Sequence, residues 1–195
     1  MSEITSLSQL DLQGYYTYQD YLSWKFKERV ELIKGTIFKM SPAPNVKHQI
    51  ISRLLLRQLD HGLIKSSCHL FHAPFDVRLP VSFTPGKEDT VVQPDIVVIC
   101  DVSKLDKQGC NGAPEIVIEI LSPGNSHREM KEKFELYEAS LVSEYWIVDP
   151  EHQDIVVYKL NEQEKYYGSK PYVSGEVFQS EILPKISIDI SEVFK

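Results

Sequence analysis

The sequence contains no long apolar run, and this absence limits the class of protein. Its 195 residues are 42% hydrophobic, but no stretch approaches the roughly 20 consecutive apolar residues that a membrane-spanning helix needs. The first residues, MSEITSLSQLDLQ, lack the basic-then-apolar order of a secretory signal. We therefore expect a cytoplasmic protein without a membrane partner.

Cysteine is also scarce, with three residues, Cys68, Cys100 and Cys110, and no CxxC pair. Free thiols in a reducing cytoplasm are the simplest prediction. Cys110 lies in a GCNG segment and is expected to be exposed. Zinc binding by Cys68, His69 and His72 is not expected, because Cys68 and His72 would lie about 13 Å apart on a strand.

Several functional motifs are missing as well. The chain has neither the GxGxxG nor the GxxxxGK[ST] motif of nucleotide-binding folds, and it has no GxSxG elbow of a serine hydrolase. Its net charge of −7 argues against a protein that coats nucleic acid through bulk positive charge. A nucleic-acid function therefore has to depend on a local site.

The elements that are present predict an α/β fold. Residues 1–14 are expected to form a loose tail, and residues 15–195 a single domain. Helices are predicted from caps and apolar periodicity at Thr17 to about Lys27, Asn45 to about Gly62, and 126–139. Strands are predicted for a hairpin over 29–40, and for 69–79, 91–100, 115–121, 144–149, 154–160 and the surroundings of Val177 and Ile186. Loops are predicted over 80–89 and 101–114. Long apolar strands with helices between them indicate a mixed central β-sheet flanked by α-helices, with an N-terminal helix and β-hairpin.

Two of the most apolar strands each carry one carboxylate. VVQPDIVVIC contains Asp95, and EIVIEIL contains Glu119 between isoleucines. Two carboxylates that lie close together repel unless a cation or a proton lies between them. Mg²⁺ takes oxygen ligands and needs only one or two carboxylates, so the pair predicts a metal site. The alternative left open is that each acid is satisfied by backbone amides or an arginine.

A lysine on the third helix could complete such a site. The apolar stripe of this helix consists of Met130, Phe134, Tyr137 and Leu141. Lys133 lies at the border of the stripe, from which its stem can follow the core while its ammonium reaches the strand acids. The alternative is an exposed pair with Glu129, one turn earlier.

The segments ELIKG, QPDIVV, IEILSP, EKFELY and EYWIVDP occur in that order over about residues 15–160. Together they resemble the PD-(D/E)xK nuclease superfamily and, more narrowly, its Uma-type family of restriction-endonuclease-like proteins, a domain of unknown function. The resemblance implies a restriction-endonuclease-like fold. It also implies an endonuclease that hydrolyses phosphodiester bonds with Mg²⁺ or Mn²⁺.

The resemblance further implies that Asp95 and Glu119 hold the metal ion. The superfamily's lysine stands two residues after the second acid, where this chain has Leu121, so the usual pattern is broken. In this family the lysine looks to have moved to the following helix, which gives Lys133. Glu31, in the ELIKG strand, is similar to an acid that nuclease folds contribute from an early element.

Two further residues enter through the resemblance. His48 matches a position where family members often carry histidine, and Glu129 stands where the family pattern has aspartate. The expected partner is nucleic acid, with DNA favoured over RNA, and a homodimer is expected by analogy with enzymes that cut both strands of a duplex. The alternative is a catalytically inactive nuclease-like scaffold used for binding or assembly, which the charge of −7 and the displaced lysine favour.

Overall fold

The computed structural model describes residues 3–40, 45–122 and 127–195, without the side chains of 127–129. The helices are α1 (Tyr18–Ser23), α2 (Val46–Leu63), α3 (His127–Ala139) and α4 (Ile190–Val193), with 3₁₀ turns at Leu7–Gln9 and Val102–Lys104. The strands are β1 (Val30–Ile33), β2 (Thr36–Lys39), β3 (His69–His72), β4 (Asp76–Arg78), β5 (Val91–Val92), β6 (Ile96–Ile99), β7 (Gly109–Asn111), β8 (Ile116–Ile120), β9 (Glu144–Asp149), β10 (Asp154–Leu160), β11 (Tyr166–Gly168), β12 (Val177–Gln179) and β13 (Ser187–Asp189). None of the helices in the described ranges is long and apolar enough to cross a membrane.

The strands form two main sheets and a short ribbon. The larger sheet has the order β11-β10-β9-β8-β6-β3, the second has the order β2-β1-β5-β4-β7, and β12 pairs with β13. Both main sheets are mixed, because β8 and β9 are parallel, and β4 and β7 are parallel, while their other pairings are antiparallel. The predicted α/β class with a mixed sheet and flanking helices is confirmed.

Helices cover both faces of the larger sheet, as the alternation of its side chains requires. On one face, Ile96 and Ile118 pack against Leu55 and other apolar residues of α2. On the opposite face, Val97 and Val117 share a cluster with apolar residues of α3. This second cluster also contains residues of β1, β4, β5 and β7, so the two main sheets meet in one core.

Two predicted strands are each divided between the two sheets. Residues 91–100 form β5 and β6, which are separated by Gln93, Pro94 and Asp95. Residues 69–79 form β3 and β4, which are separated by 73–75. The prediction of single strands was wrong, because a proline interrupts each run and cannot donate to a strand ladder. Asp95 consequently lies at a crossing between sheets rather than within a strand.

The local helix signals were largely correct. Thr17 and Asp20 form a capping box at the start of α1, and the Asn45 side chain accepts a hydrogen bond from the His48 N–H at the start of α2. Helix α1 ends at Ser23, however, and does not reach Lys27. The chain becomes extended at Trp24, and the next N–H donates to the Ile4 carbonyl instead of to the helix.

Two other regions differ from their predictions. The predicted loop over 101–114 contains β7, which pairs with β4. In the segment 1–14, Leu7 and Leu10 are buried against β1 and α1 in a third apolar cluster.

The prediction of free thiols was wrong for Cys68 and Cys100 and correct for Cys110. Cys68 and Cys100 form a disulfide. The antiparallel pairing of β3 with β6 sets His69 opposite Ile99, so Cys68, which precedes His69, lies opposite Cys100, which follows Ile99. Cys110 is buried rather than exposed, because its side chain packs in the apolar cluster that the two main sheets share.

Candidate active site

Asp95 is held at the start of β6 by the neighbouring strand. The last pairing of β6 with β8 sets Ile96 opposite Ile118, so Asp95 lies beside the next residues of β8. Its Oδ2 accepts a hydrogen bond from the Ile120 N–H at 2.8 Å and lies 3.2 Å from His48 Nε2. The side chain of Asp95 keeps 20% of its surface exposed. One face of the carboxylate is therefore fixed while the group remains accessible.

Glu119 projects from β8 toward α3, on the same face as Val117. Its Oε1 accepts hydrogen bonds from Lys133 Nζ at 2.9 Å and from the Tyr137 hydroxyl at 2.7 Å. These two donors lie four residues apart on α3, so they occupy one side of the helix. Helix α3 therefore orients one oxygen of Glu119.

Glu31 joins the same cluster from the hairpin. Its Oε1 lies 3.2 Å from Lys133 Nζ and accepts a hydrogen bond from the Gln93 backbone N–H at 2.8 Å. The side chains of Glu31 and Lys133 are almost completely buried, with 3% and 9% of their surfaces exposed. A single ammonium thus contacts two carboxylates that come from different sheets.

Charge and burial shift the pKa values of this cluster in linked directions. Burial, together with the charges of Asp95 and Glu31, raises the pKa of Glu119 to about 7, although Lys133 and the hydrogen bond from Tyr137 oppose the rise. Despite its burial, Lys133 has a pKa above its usual value, because Glu119 and Glu31 stabilise the ammonium. Lys133 is therefore charged at neutral pH, while Glu119 holds a proton more readily than an ordinary glutamate.

Tyr137 and His48 act as donors toward the two strand acids. Burial and the negative charges of Glu119 and Glu31 raise the pKa of Tyr137, so its hydroxyl stays protonated. Burial would lower the pKa of His48, but its hydrogen bond to Asp95 and the charges of Asp95 and Glu119 outweigh that effect and raise it. Both residues therefore favour ionised carboxylates.

The donor set is compatible with a hard divalent cation. Among the described residues, no group of three or more His, Cys, Asp or Glu side chains is arranged to hold a metal. Mg²⁺ needs only one or two carboxylates and keeps water or phosphate oxygens in its other positions. No described residue donates a hydrogen bond to Asp95 Oδ1 or Glu119 Oε2, whereas the second oxygen of each carboxylate is hydrogen-bonded. Asp95 and Glu119 thus fit the role of metal ligands.

The structure brings together the residues selected from the sequence: Asp95, Glu119, Lys133, Glu31 and His48. Their metal-binding and catalytic roles remain predictions. Lys133 pairs with Glu119, one of the two strand acids, as its position at the border of the apolar stripe suggested. Glu129 cannot be placed, because its side chain lies outside the described residues.

Sequence reasoning missed two residues of the cluster. Tyr137 had been assigned to the apolar stripe, although its spacing of four from Lys133 placed it on the same side of α3. Gln93 was passed over as the residue before Pro94. Its side chain is fully hydrogen-bonded, to Arg29, Tyr21 and Asp76, and this fixes the backbone N–H that contacts Glu31.

The mixed α/β fold is that of a restriction-endonuclease-like protein. A family model described as "Uma2: Putative restriction endonuclease" matches residues 18–191, and the chain belongs to that family. A similar solved structure is "a putative nuclease belonging to DUF820" from Anabaena variabilis ATCC 29413. It has a TM-score of 0.69 and 20% sequence identity, with coverage of 92% of this chain and 97% of that chain. A search of curated proteins gave no match. The family and the fold support a nuclease.

Proposed function

We propose that the protein is a Mg²⁺- or Mn²⁺-dependent endonuclease that hydrolyses phosphodiester bonds in nucleic acid, with DNA favoured over RNA. The observation that carries the proposal is the contact of the Lys133 ammonium with both Glu31 and Glu119, next to Asp95. Buried carboxylates with a shifted pKa that share a charged lysine beside a partly exposed acid are typical of functional sites.

Asp95 and Glu119 would hold the metal ion. When bound, such an ion supplies a Lewis acid that neutralises charge on a phosphate and increases the acidity of water. The role of the protein is to orient both carboxylates. His48 and the Ile120 N–H do this for Asp95, and Tyr137 does it for Glu119.

Lys133 would act directly on the substrate. An ammonium has three donors, and two of them are directed to Glu31 and Glu119. The third can donate to a phosphate oxygen or to the attacking water, where it stabilises negative charge that develops during hydrolysis. The contact of the ammonium with Glu31 holds Lys133 in place.

The test is a cleavage assay on labelled DNA and RNA with Mg²⁺ or Mn²⁺, using wild type, Asp95→Asn, Glu119→Gln and Lys133→Met. Each substitution should lower the rate at least about 10²-fold, the range seen when one stabilising group is lost. Glu115→Gln is the matched control, because Glu115 precedes β8 at its other end and pairs with Lys104. It should cleave like wild type.

A second measurement separates an active enzyme from the inactive scaffold. Calorimetry of the metal-stripped protein should show Mn²⁺ binding that Asp95→Asn removes, and Mn²⁺ should raise the thermal stability of wild type. Equal cleavage by wild type and all three site variants would identify a contaminant. Absence of both Mn²⁺ binding and cleavage would refute the proposal and favour the scaffold.

A further inference from the structure

A short basic and aromatic segment follows α1 in this otherwise acidic protein. Residues 24–29 read WKFKER and contain three cations and one acid, whereas the whole chain has a net charge of −7. Lys25 and Lys27 are exposed, and so is Lys39 of β2. None of these three lysines forms an ion pair with any residue that the structure describes. Their charges are therefore available to a negatively charged partner.

Two aromatic residues, Trp24 and Phe26, alternate with Lys25 and Lys27 in this segment. Trp24 and Phe26 are stacked, with ring centroids 5.5 Å apart and an interplanar angle of 25°. Tyr16 packs its edge against Trp24 at 5.4 Å. Trp24 and Phe26 remain partly exposed, while their inner surfaces pack on the buried cluster that contains Val30. The rings thus form a supported platform with solvent on one side.

This surface adjoins the candidate active site. Val30 pairs with Lys39 across the hairpin, and the next residue of β1 is Glu31. Arg29, which ends the WKFKER segment, donates two hydrogen bonds to the Gln93 side chain at 3.1 and 2.8 Å. The Gln93 N–H in turn contacts Glu31. Arg29 and Gln93 therefore connect the segment to Glu31 of the candidate site.

Cations beside an exposed aromatic pair match one class of ligand. Lysines bind phosphates without regard to sequence, and aromatic faces stack on bases that are not already stacked in a duplex. We propose that Trp24, Lys25, Phe26, Lys27 and Lys39, the basic aromatic strip, bind a single-stranded segment of the nucleic acid that enters the site. This inference rests on the proposed function, because it assigns the substrate of the same site.

The protein carries its own probe for the test. It has two tryptophans, and Trp146 is fully buried, so quenching by an added base reports on Trp24. In EDTA, which prevents metal-dependent cleavage, a single-stranded oligodeoxynucleotide should quench the tryptophan emission. A duplex of equal length should quench it much less, because its bases are already stacked.

Variants separate the two parts of the strip. Trp24→Phe with Phe26→Leu keeps apolar contact with the core but reduces the stacking surface, and it should weaken oligonucleotide binding about tenfold or more by fluorescence anisotropy. Lys25→Ala with Lys27→Ala leaves the core untouched. It should reduce the slope of log affinity against log salt by about 1.4, since each phosphate contact on a single strand contributes about 0.7. The control, Lys170→Ala with Lys185→Ala, makes the same charge change in the C-terminal region.

The possible outcomes distinguish this inference from the proposed function. If quenching and binding depend on the residues of the basic aromatic strip but no metal condition gives cleavage, single-strand binding by the strip is supported and the proposed nuclease activity is refuted. If wild type cleaves nucleic acid but the folded lysine and aromatic variants bind oligonucleotide as wild type does, the binding role of the strip is refuted and the proposed nuclease activity is not affected. Equal quenching by duplex and single strand overturns the single-strand assignment.

Discussion

Replacing Lys133 with methionine removes the ammonium that contacts both Glu31 and Glu119 while keeping most of the apolar stem. Glu31 and Glu119 are then left as neighbouring buried carboxylates, with 3% and 13% of their side-chain surfaces exposed. Breaking a buried pair by removing one partner costs about 3–5 kcal/mol, because the remaining charge is uncompensated. We expect a loss of this size in the metal-free protein, but only where both acids are ionised.

The pH dependence of this loss follows from Glu119. Its pKa is already raised from 4.5 to about 7, and Lys133 is the largest influence that lowers it. A carboxyl group with a raised pKa in the folded state favours folding below its unfolded pKa, and stability is lost as the pH rises toward the folded pKa. In wild type this loss falls between pH 4.5 and about 7. In Lys133→Met the folded pKa is higher, so stability continues to fall above pH 7.

The assay is urea unfolding in EDTA at pH 5 and pH 8.5. At pH 5 a proton on Glu119 replaces part of the missing charge, so the variant should lose clearly less than at pH 8.5, where the loss should reach about 3–5 kcal/mol. The same Lys133→Met change made in a Glu119→Gln background should cost an amount that depends less on pH, because both proteins of that pair lack the titrating group. A loss below about 1 kcal/mol at pH 8.5, or an equal loss at both pH values, would refute the reasoning about the buried charges.

Three further predictions concern the fold and the edge of the site. The disulfide between Cys68 and Cys100 spans 32 residues. Dithiothreitol should therefore lower the free energy of unfolding of wild type by up to about 3–4 kcal/mol, and it should have no effect on Cys68→Ser. An equal effect of dithiothreitol on this variant would contradict the disulfide. Gly62→Ala should lower the free energy of unfolding in urea by about 1–3 kcal/mol, although alanine has the better helix propensity. The reason is that the new Cβ would lie 2.7 Å from the Ile186 Cα. A more stable variant would show that α2 can shift to make room. NMR titration should give His48 a pKa above 6.5. The stabilisation from its pair with Asp95 is then complete below pH 6.5 and is lost as the pH rises through the pKa of the folded state. In Asp95→Asn the pKa of His48 should fall, and an unchanged pKa would rule out the pair.

Local signals were sufficient for most of the fold. The Thr17 and Asn45 caps start their helices where predicted, because a cap is a contact between residues only a few positions apart. The apolar alternation of EIVIEIL correctly predicted β8 as a buried strand with Glu119 on one face. The same kind of reasoning placed Lys133 at the border of an apolar stripe, from which it could reach inward.

Local signals could not show how distant segments meet. Glu31 lies 102 residues from Lys133 in the sequence, and their contact exists because two sheets share one core. The partner of Cys68 depended on the register of β3 with β6, which no periodicity within either strand encodes. The role of Tyr137 was hidden because a core tyrosine and a hydrogen-bond donor to a buried acid occupy the same helix positions.

The sequence by itself determined that two apolar segments each carry an acid and that a lysine follows on a helix. The tertiary structure decided that these groups converge, that Glu31 and Tyr137 join them, and that Asp95 lies at a crossing between sheets. The physical reason is that periodicity fixes which face a side chain occupies, whereas strand order and register fix what lies opposite that face.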